Sequence, residues 1–158
     1  VAMIRTIVFL CLLHAVPAAA EHIPGKLIKV VDGDTIHLLI DGKKERIRLA
    51  EIDTPEKEQA YGLESTAALS ALLSFGDITI RLTDIDRYKR WVAHVYIDKR
   101  WVNLTMVKQG HAWVYTRYAT SKPLFDAEQQ ARAQLLGLWQ TPATDLMPPW
   151  EWRQARRK

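Results

Sequence analysis

The carboxylates and arginines that could act together fall in two short stretches, Val31-Asp32-Gly33-Asp34-Thr35 and Arg48-Leu49-Ala50-Glu51-Ile52-Asp53-Thr54-Pro55-Glu56. In the first, carboxylates flank a glycine at the start of an apolar run; in the second, an apolar run leads straight into further carboxylates. If the run that starts at Thr35 pairs with the run that contains Arg48, Asp34 and Asp53 reach one hard cation, with backbone carbonyls and waters completing roughly six to eight oxygen ligands. Calcium fits this chemistry better than zinc, because neither stretch offers the imidazole nitrogen or thiolate sulfur that zinc prefers. Glu56 follows Asp53 behind Pro55 and stands where a general base would face a water beside the cation. Arg48 carries a planar fork that matches phosphate oxygens. Arg87-Tyr88-Lys89-Arg90 forms a second cationic region. Cations on both sides of a metal would offset the charge that builds on a phosphoryl group under attack.

The elements that must position these groups can be read from periodicity. Residues 26–31, 35–40 and 45–50 are short, rich in Ile, Leu and Val, and separated by turn signals, which predicts three consecutive strands. Asp41-Gly42 between two of them favours a type I′ hairpin turn. Residues 77–83 and 91–97 alternate as two further strands, the last turning at Asp98-Lys99 into Arg100 and Trp101. A first helix is predicted over Tyr61 to Ser74, closed by Gly76; a second runs from a capping Asn103 through Gln109; a third follows Ser121 and Pro123 and ends at Gly137. The tail from Thr141, with Pro142, Pro148, Pro149 and the basic residues Arg153, Arg156, Arg157 and Lys158, is expected to be an extended appendage. Together these elements predict an α+β fold that is mainly a β barrel: a five-stranded Greek-key barrel of the OB type with three helices.

Composition sets the outer bounds. The 158 residues carry 22 basic and 18 acidic side chains, a net charge of +4, with 48% hydrophobic and 25% charged residues. That balance excludes disorder over the whole length and implies one globular domain. Residues 1–20 carry Arg5, an apolar run from Ile7 to Val16 and Ala18-Ala19-Ala20, the pattern of a signal peptide cut after Ala20. The apolar run falls well short of the ~20 residues a bilayer span needs, so an exported protein, secreted or periplasmic and off the membrane after cleavage, is expected. The domain then runs over 21–140, with the tail over 141–158. Cleavage removes Cys11, the one cysteine. The remainder holds itself by its core and is neither a cysteine enzyme nor a Cys-type zinc module.

The four patterns Asp32-Gly33-Asp34-Thr35, Arg48 with Asp53-Thr54-Pro55-Glu56, Asp86-Arg87-Tyr88-Lys89-Arg90 and Gly137-Leu138-Trp139 together resemble the staphylococcal-nuclease-like (thermonuclease) family. The resemblance covers about residues 25–140. It implies the five-stranded OB-type barrel with three helices, and an exported, calcium-dependent nuclease hydrolysing single-stranded DNA and RNA to 3′-phosphate ends. By the same resemblance Asp34 and Asp53 are carboxylate ligands of calcium and Thr54 a backbone-carbonyl ligand. Glu56 is the general base, and Arg48 and Arg90 bind the scissile phosphate, Arg90 near the leaving oxygen. Tyr115 and Tyr118 resemble nucleotide-contacting tyrosines, with Arg87, Tyr88 and Lys89 beside the strand, and Glu128 matches a structural glutamate. The chain departs from the founding nuclease in a shorter loop between Glu56 and Tyr61, and in Lys89 and Trp91 in place of glycines around Arg90.

Set against these roles, a lone aspartate is more often a turn former, and it is the set of five side chains that points to catalysis. His37, His94 and His111 are read as structural or surface residues, since the mechanism asks nothing of histidine. Trp91, Trp101, Trp113 and Trp139 are read as packing groups. Trp150 and Trp152 sit in the tail, expected to pack loosely on the domain. A monomer is expected. A non-catalytic OB-fold module holding single strands is the alternative, along with a calcium-stabilised structural domain that would leave the arginines idle.

Overall fold

A computed structural model describes residues 21–157. The expected leader, with Cys11, lies outside the described residues. Three strands, β1 (Ile23–Val30), β2 (Thr35–Ile40) and β3 (Lys43–Leu49), form an antiparallel meander. The β2–β3 connection is the Asp41-Gly42 turn, with φ of 48° and 74°, the positive pair that a type I′ turn requires. A two-residue strand β4 (Ile52–Asp53) follows β3 almost at once. After helix α1 (Gly62–Leu72) come β5 (Ile78–Ile85) and β6 (Trp91–Ile97). The long strands run in the order β3-β2-β1-β5-β6. Parallel pairing of β6 with β3, Ile47 opposite Trp91 and Arg48 opposite Val92, closes them into a five-stranded barrel. Among the described residues no helix is long and apolar enough to cross a membrane.

The remaining elements cover the barrel. A short strand β7 (Arg100–Trp101) folds back on β6 and leads into α2 (Val102–Lys108). Strand β8 (Trp113–Val114) pairs with β4, setting Asp53 opposite Trp113. Helix α3 (Lys122–Ala133), a 3-10 turn at Gly137–Gln140 and a fourth helix, α4 (Pro149–Ala155), complete the chain. The core holds Ile36, Leu38, Ile47, Leu49, Ile80 and Val95 from the strands, with Leu69, Met106 and Leu124 from the helices, all fully buried. In β2, β3 and β5 they alternate with half-buried or exposed residues, as the pleat of a one-sided barrel wall demands, whereas β6 buries Ala93, His94 and Val95 in succession.

Two expectations are corrected. Asn103 is not the cap of α2: Trp101 holds that position. Asn103 is fully buried inside the helix, where its Oδ1 accepts from the Val95 N–H at 2.9 Å and its Nδ2 donates to the Ala50 carbonyl at 2.9 Å. It ties α2 to β6 and to the end of β3, satisfying backbone groups that would otherwise be stranded. The tail is not an extended, loosely packed appendage. Pro149 sits at the start of α4, where its missing N–H costs nothing, and it is buried. Trp150 meets Trp113 edge-on at 5.8 Å and stacks on Tyr115 at 5.3 Å and 5°. Trp150 thereby joins the smaller core of Trp113, Ala131, Leu138 and Trp139.

Candidate active site

The Asp34 loop and the Asp53 strand end meet because Thr35 and Arg48 are cross-strand partners in the β2–β3 ladder, and the Leu49 N–H donates to the Asp34 carbonyl at 2.8 Å. Gly33 makes the approach possible. A Cβ there would lie 2.7 Å from Thr54 Oγ1 and 2.8 Å from Ser65 Cβ, so any side chain would push the loop away from Thr54. Asp34 Oδ2 accepts from the Thr54 N–H at 2.9 Å and from Thr54 Oγ1 at 3.0 Å. Its other oxygen accepts from Thr35 Oγ1 at 3.1 Å and pairs with Arg48 Nε at 3.2 Å. The same Arg48 donates through Nη2 to Asp53 Oδ1 at 2.9 Å and through Nη1 to the Leu49 carbonyl at 2.7 Å. One guanidinium therefore holds two carboxylates that are only 7% and 1% exposed.

Two such carboxylates make an all-oxygen donor set. Among the described residues no group of three or more His, Cys, Asp and Glu is arranged to hold a metal ion. The residues present fit a hard cation that completes its shell with carbonyl oxygen and water, and do not fit zinc. Burial, with the Asp34 charge beside it, pushes the Asp53 carboxyl up against the pull of Arg48 and Arg153. A cation would relieve that crowding.

Sequence reasoning missed two residues at this site. Asp32 accepts from the Asp34 N–H at 3.1 Å, fixing the carboxylate loop; burial and then the neighbouring Asp34 charge push its carboxyl up to about 6. The Asp-Gly-Asp pattern carried that signal. The second is Arg153 on α4. Its Nη2 donates to Asp53 Oδ2 at 2.7 Å, and its Nη1 to Glu56 Oε1 at 2.7 Å and to Asp53 Oδ1 at 3.2 Å. Burial works against the charge of this guanidinium, but the hydrogen bonds and attraction of Asp53 and Glu56 outweigh it and hold it more firmly protonated. Glu56 thus stands on the same face as Asp53, linked to it through Arg153.

The other expected residues stand apart from this knot. Arg87, Tyr88 and Lys89 are exposed in the β5–β6 turn. Arg90 ends that turn, its Nε paired with Asp86 Oδ2 at 2.7 Å, and enters the strand that runs beside Arg48. Lys89 has φ of 59°, left-handed backbone that a glycine adopts freely and a lysine adopts under strain. Tyr115 meets Tyr118 edge-on at 4.9 Å. Trp150 covers one face of Tyr115, while Tyr118 remains 61% exposed.

Several nearby polar residues are structural. Glu51 turns away to accept from the Ser121 N–H at 2.9 Å. Burial opposes its charge, yet the Ser121 and Thr120 bonds hold its carboxyl below the usual range. Glu128 accepts from the Val114 N–H at 2.9 Å, steadying β8 and through it β4. His94 and His111 are largely enclosed, and burial pushes both imidazoles down. His37 is partly exposed on β2. Trp113 and Trp139 pack edge-on at 4.5 Å, Arg132 lying 3.8 Å over the Trp139 ring.

Comparison with known proteins adds an independent line. Residues 46–141 match the model of the family described as staphylococcal nuclease homologue. An uncharacterized endonuclease of Escherichia coli O157:H7 is 40% identical over 141 residues, 89% of this chain and 91% of that protein. A micrococcal nuclease of Shigella flexneri is 34% identical over 157 residues, covering 92% and 88% of the two chains. An uncharacterized endonuclease of Haemophilus influenzae is 39% identical over 133 residues, 84% of this chain and 74% of that one.

Proposed function

The chain belongs to the family of staphylococcal nuclease homologues and is a nuclease, and from the chemistry of its site we propose that it hydrolyses phosphodiester bonds of DNA and RNA, preferring single strands, with calcium. The observation that carries the proposal is the convergence of Asp34 and Asp53 on Arg48: a cation site and a phosphate-binding fork share one knot of side chains. Asp34, Asp53 and the Thr54 carbonyl would hold calcium. When bound, the ion would polarise a phosphate oxygen and orient the substrate.

The chain's own residues do the rest. Glu56 takes the proton of a water that attacks phosphorus in line. Arg48 places its fork on a non-bridging oxygen as charge accumulates there. Arg90, released from Asp86, steadies the departing 5′ oxygen. The new P–O bond forms as the P–O5′ bond breaks and the 5′ oxygen takes up a proton, so the products carry 3′-phosphate and 5′-hydroxyl ends. Arg87, Tyr88 and Lys89 on the exposed turn, with the open ring of Tyr118, contact the strand; Tyr115 offers its uncovered face. The enzyme works as a monomer, exported after cleavage at Ala20.

The test is digestion of heat-denatured DNA and of RNA with calcium, with magnesium and with chelator, followed by end-group analysis. Calcium-dependent cutting to 3′-phosphate ends is the expected result. Binding without cutting under every metal would contradict the proposal.

A further inference from the structure

Arg153 hydrogen-bonds both Asp53 and Glu56 from outside the barrel, about a hundred positions along the chain from either. Its position is built. Pro149 is buried, Trp150 is clamped between Trp113 and Tyr115, and the Arg153 side chain is about one-third exposed. Arg153 also lines a hollow shared with Glu58, Trp152, Arg156 and Arg157, the Arg156 guanidinium lying 4.3 Å over the Trp152 ring. The site therefore borders a cationic, aromatic strip made by α4 and the two arginines that follow it, the composition that tracks a nucleic-acid backbone.

Charge counting shows what Arg153 contributes. Asp34, Asp53 and Glu56 against Arg48 alone leave the knot two charges negative, and a divalent cation brings it only to zero. A phosphodiester arriving there would make it negative, and the transition state more so. Arg153 offsets the charge that the phosphodiester brings, and Asp32 beside Asp34 adds to the negative charge it must offset. A bidentate guanidinium resting on two carboxylates is also the group best shaped to exchange them for two phosphate oxygens.

Resting on the nuclease reading, we propose that α4 belongs to the active site and that Arg153 is a phosphate-binding catalytic residue, resting on Asp53 and Glu56 and passing to the substrate phosphate when a cation takes the carboxylates. The test uses the full chain, with Arg153→Ala and Arg153→Lys. Turnover on denatured DNA, calcium affinity by calorimetry, and binding of a labelled oligothymidylate in a Glu56→Gln background are measured together. Loss of one charge-assisted contact predicts a fall of about 10- to 100-fold in turnover for Arg153→Ala. Partial recovery in Arg153→Lys is expected, with weaker oligothymidylate binding for Arg153→Ala in the Glu56→Gln background and calcium affinity unchanged or tighter.

Faster turnover with tighter calcium binding would show that the arginine only blocks the site and would overturn the proposal. So would unchanged turnover with a lowered melting temperature alone. If the unsubstituted protein fails to cut, the nuclease reading falls. The oligothymidylate arm still decides whether Arg153 holds phosphate, and equal binding with and without it contradicts that role.

Discussion

Arg90 stands immediately before β6 with its guanidinium on Asp86, next to the strand that pairs with that of Arg48. If it meets charge only as the leaving oxygen departs, it contributes more to the transition state than to ground-state binding. Arg90→Ala should therefore lower kcat by a larger factor than it raises KM, and steady-state kinetics on denatured DNA would show it; a pure KM effect would contradict that role. The residues legible in the sequence were those close together along the chain. Asp34, Arg48, Asp53 and Glu56 announce themselves because one hairpin register, Thr35 opposite Arg48, brings them together. Arg153 could not be read that way. Its partners lie about a hundred residues away, and no local spacing encodes a contact of that range.

At the scale of elements, the strands were legible because period-two alternation marks a half-buried wall, and the Asp-Gly turn because its backbone needs positive φ. What local pattern could not reveal was tertiary use of a side chain. Asn103 looks like a cap, since asparagine favours that position, but it is spent on the Val95 N–H and the Ala50 carbonyl. Asn103→Ala would leave both groups without partners in the core, at about 1–3 kcal/mol each. Urea denaturation should show a markedly lowered midpoint, and an unchanged midpoint would refute this account of its role. Helix α4 was obscured by its own prolines, which read as breakers until Pro149 is seen at the first helical position.

At the scale of the molecule, a basic protein places carboxylates at the heart of its site and closes the barrel around them with a parallel pairing that strand prediction does not reveal. Its stability should also respond to acid through a residue remote from the chemistry. Burial pushes the His111 imidazole down, and its Nδ1 lies 3.0 Å from the Tyr61 hydroxyl. The unfolded chain binds the proton more readily, so this contribution is complete above the ordinary histidine value near 6.5 and is lost as pH falls through it toward the lowered folded value. Melting temperatures taken between about pH 7.5 and pH 5 should fall less in His111→Asn than in the unsubstituted protein; equal falls would show that His111 is not responsible.

The central claim, that Asp34 and Asp53 hold a cation for a reaction in which Glu56 is the base, is tested most directly by Glu56→Gln at saturating calcium. The account predicts turnover lower by about 10² to 10⁴, with calcium affinity and folding kept. Unchanged turnover in that variant would contradict it.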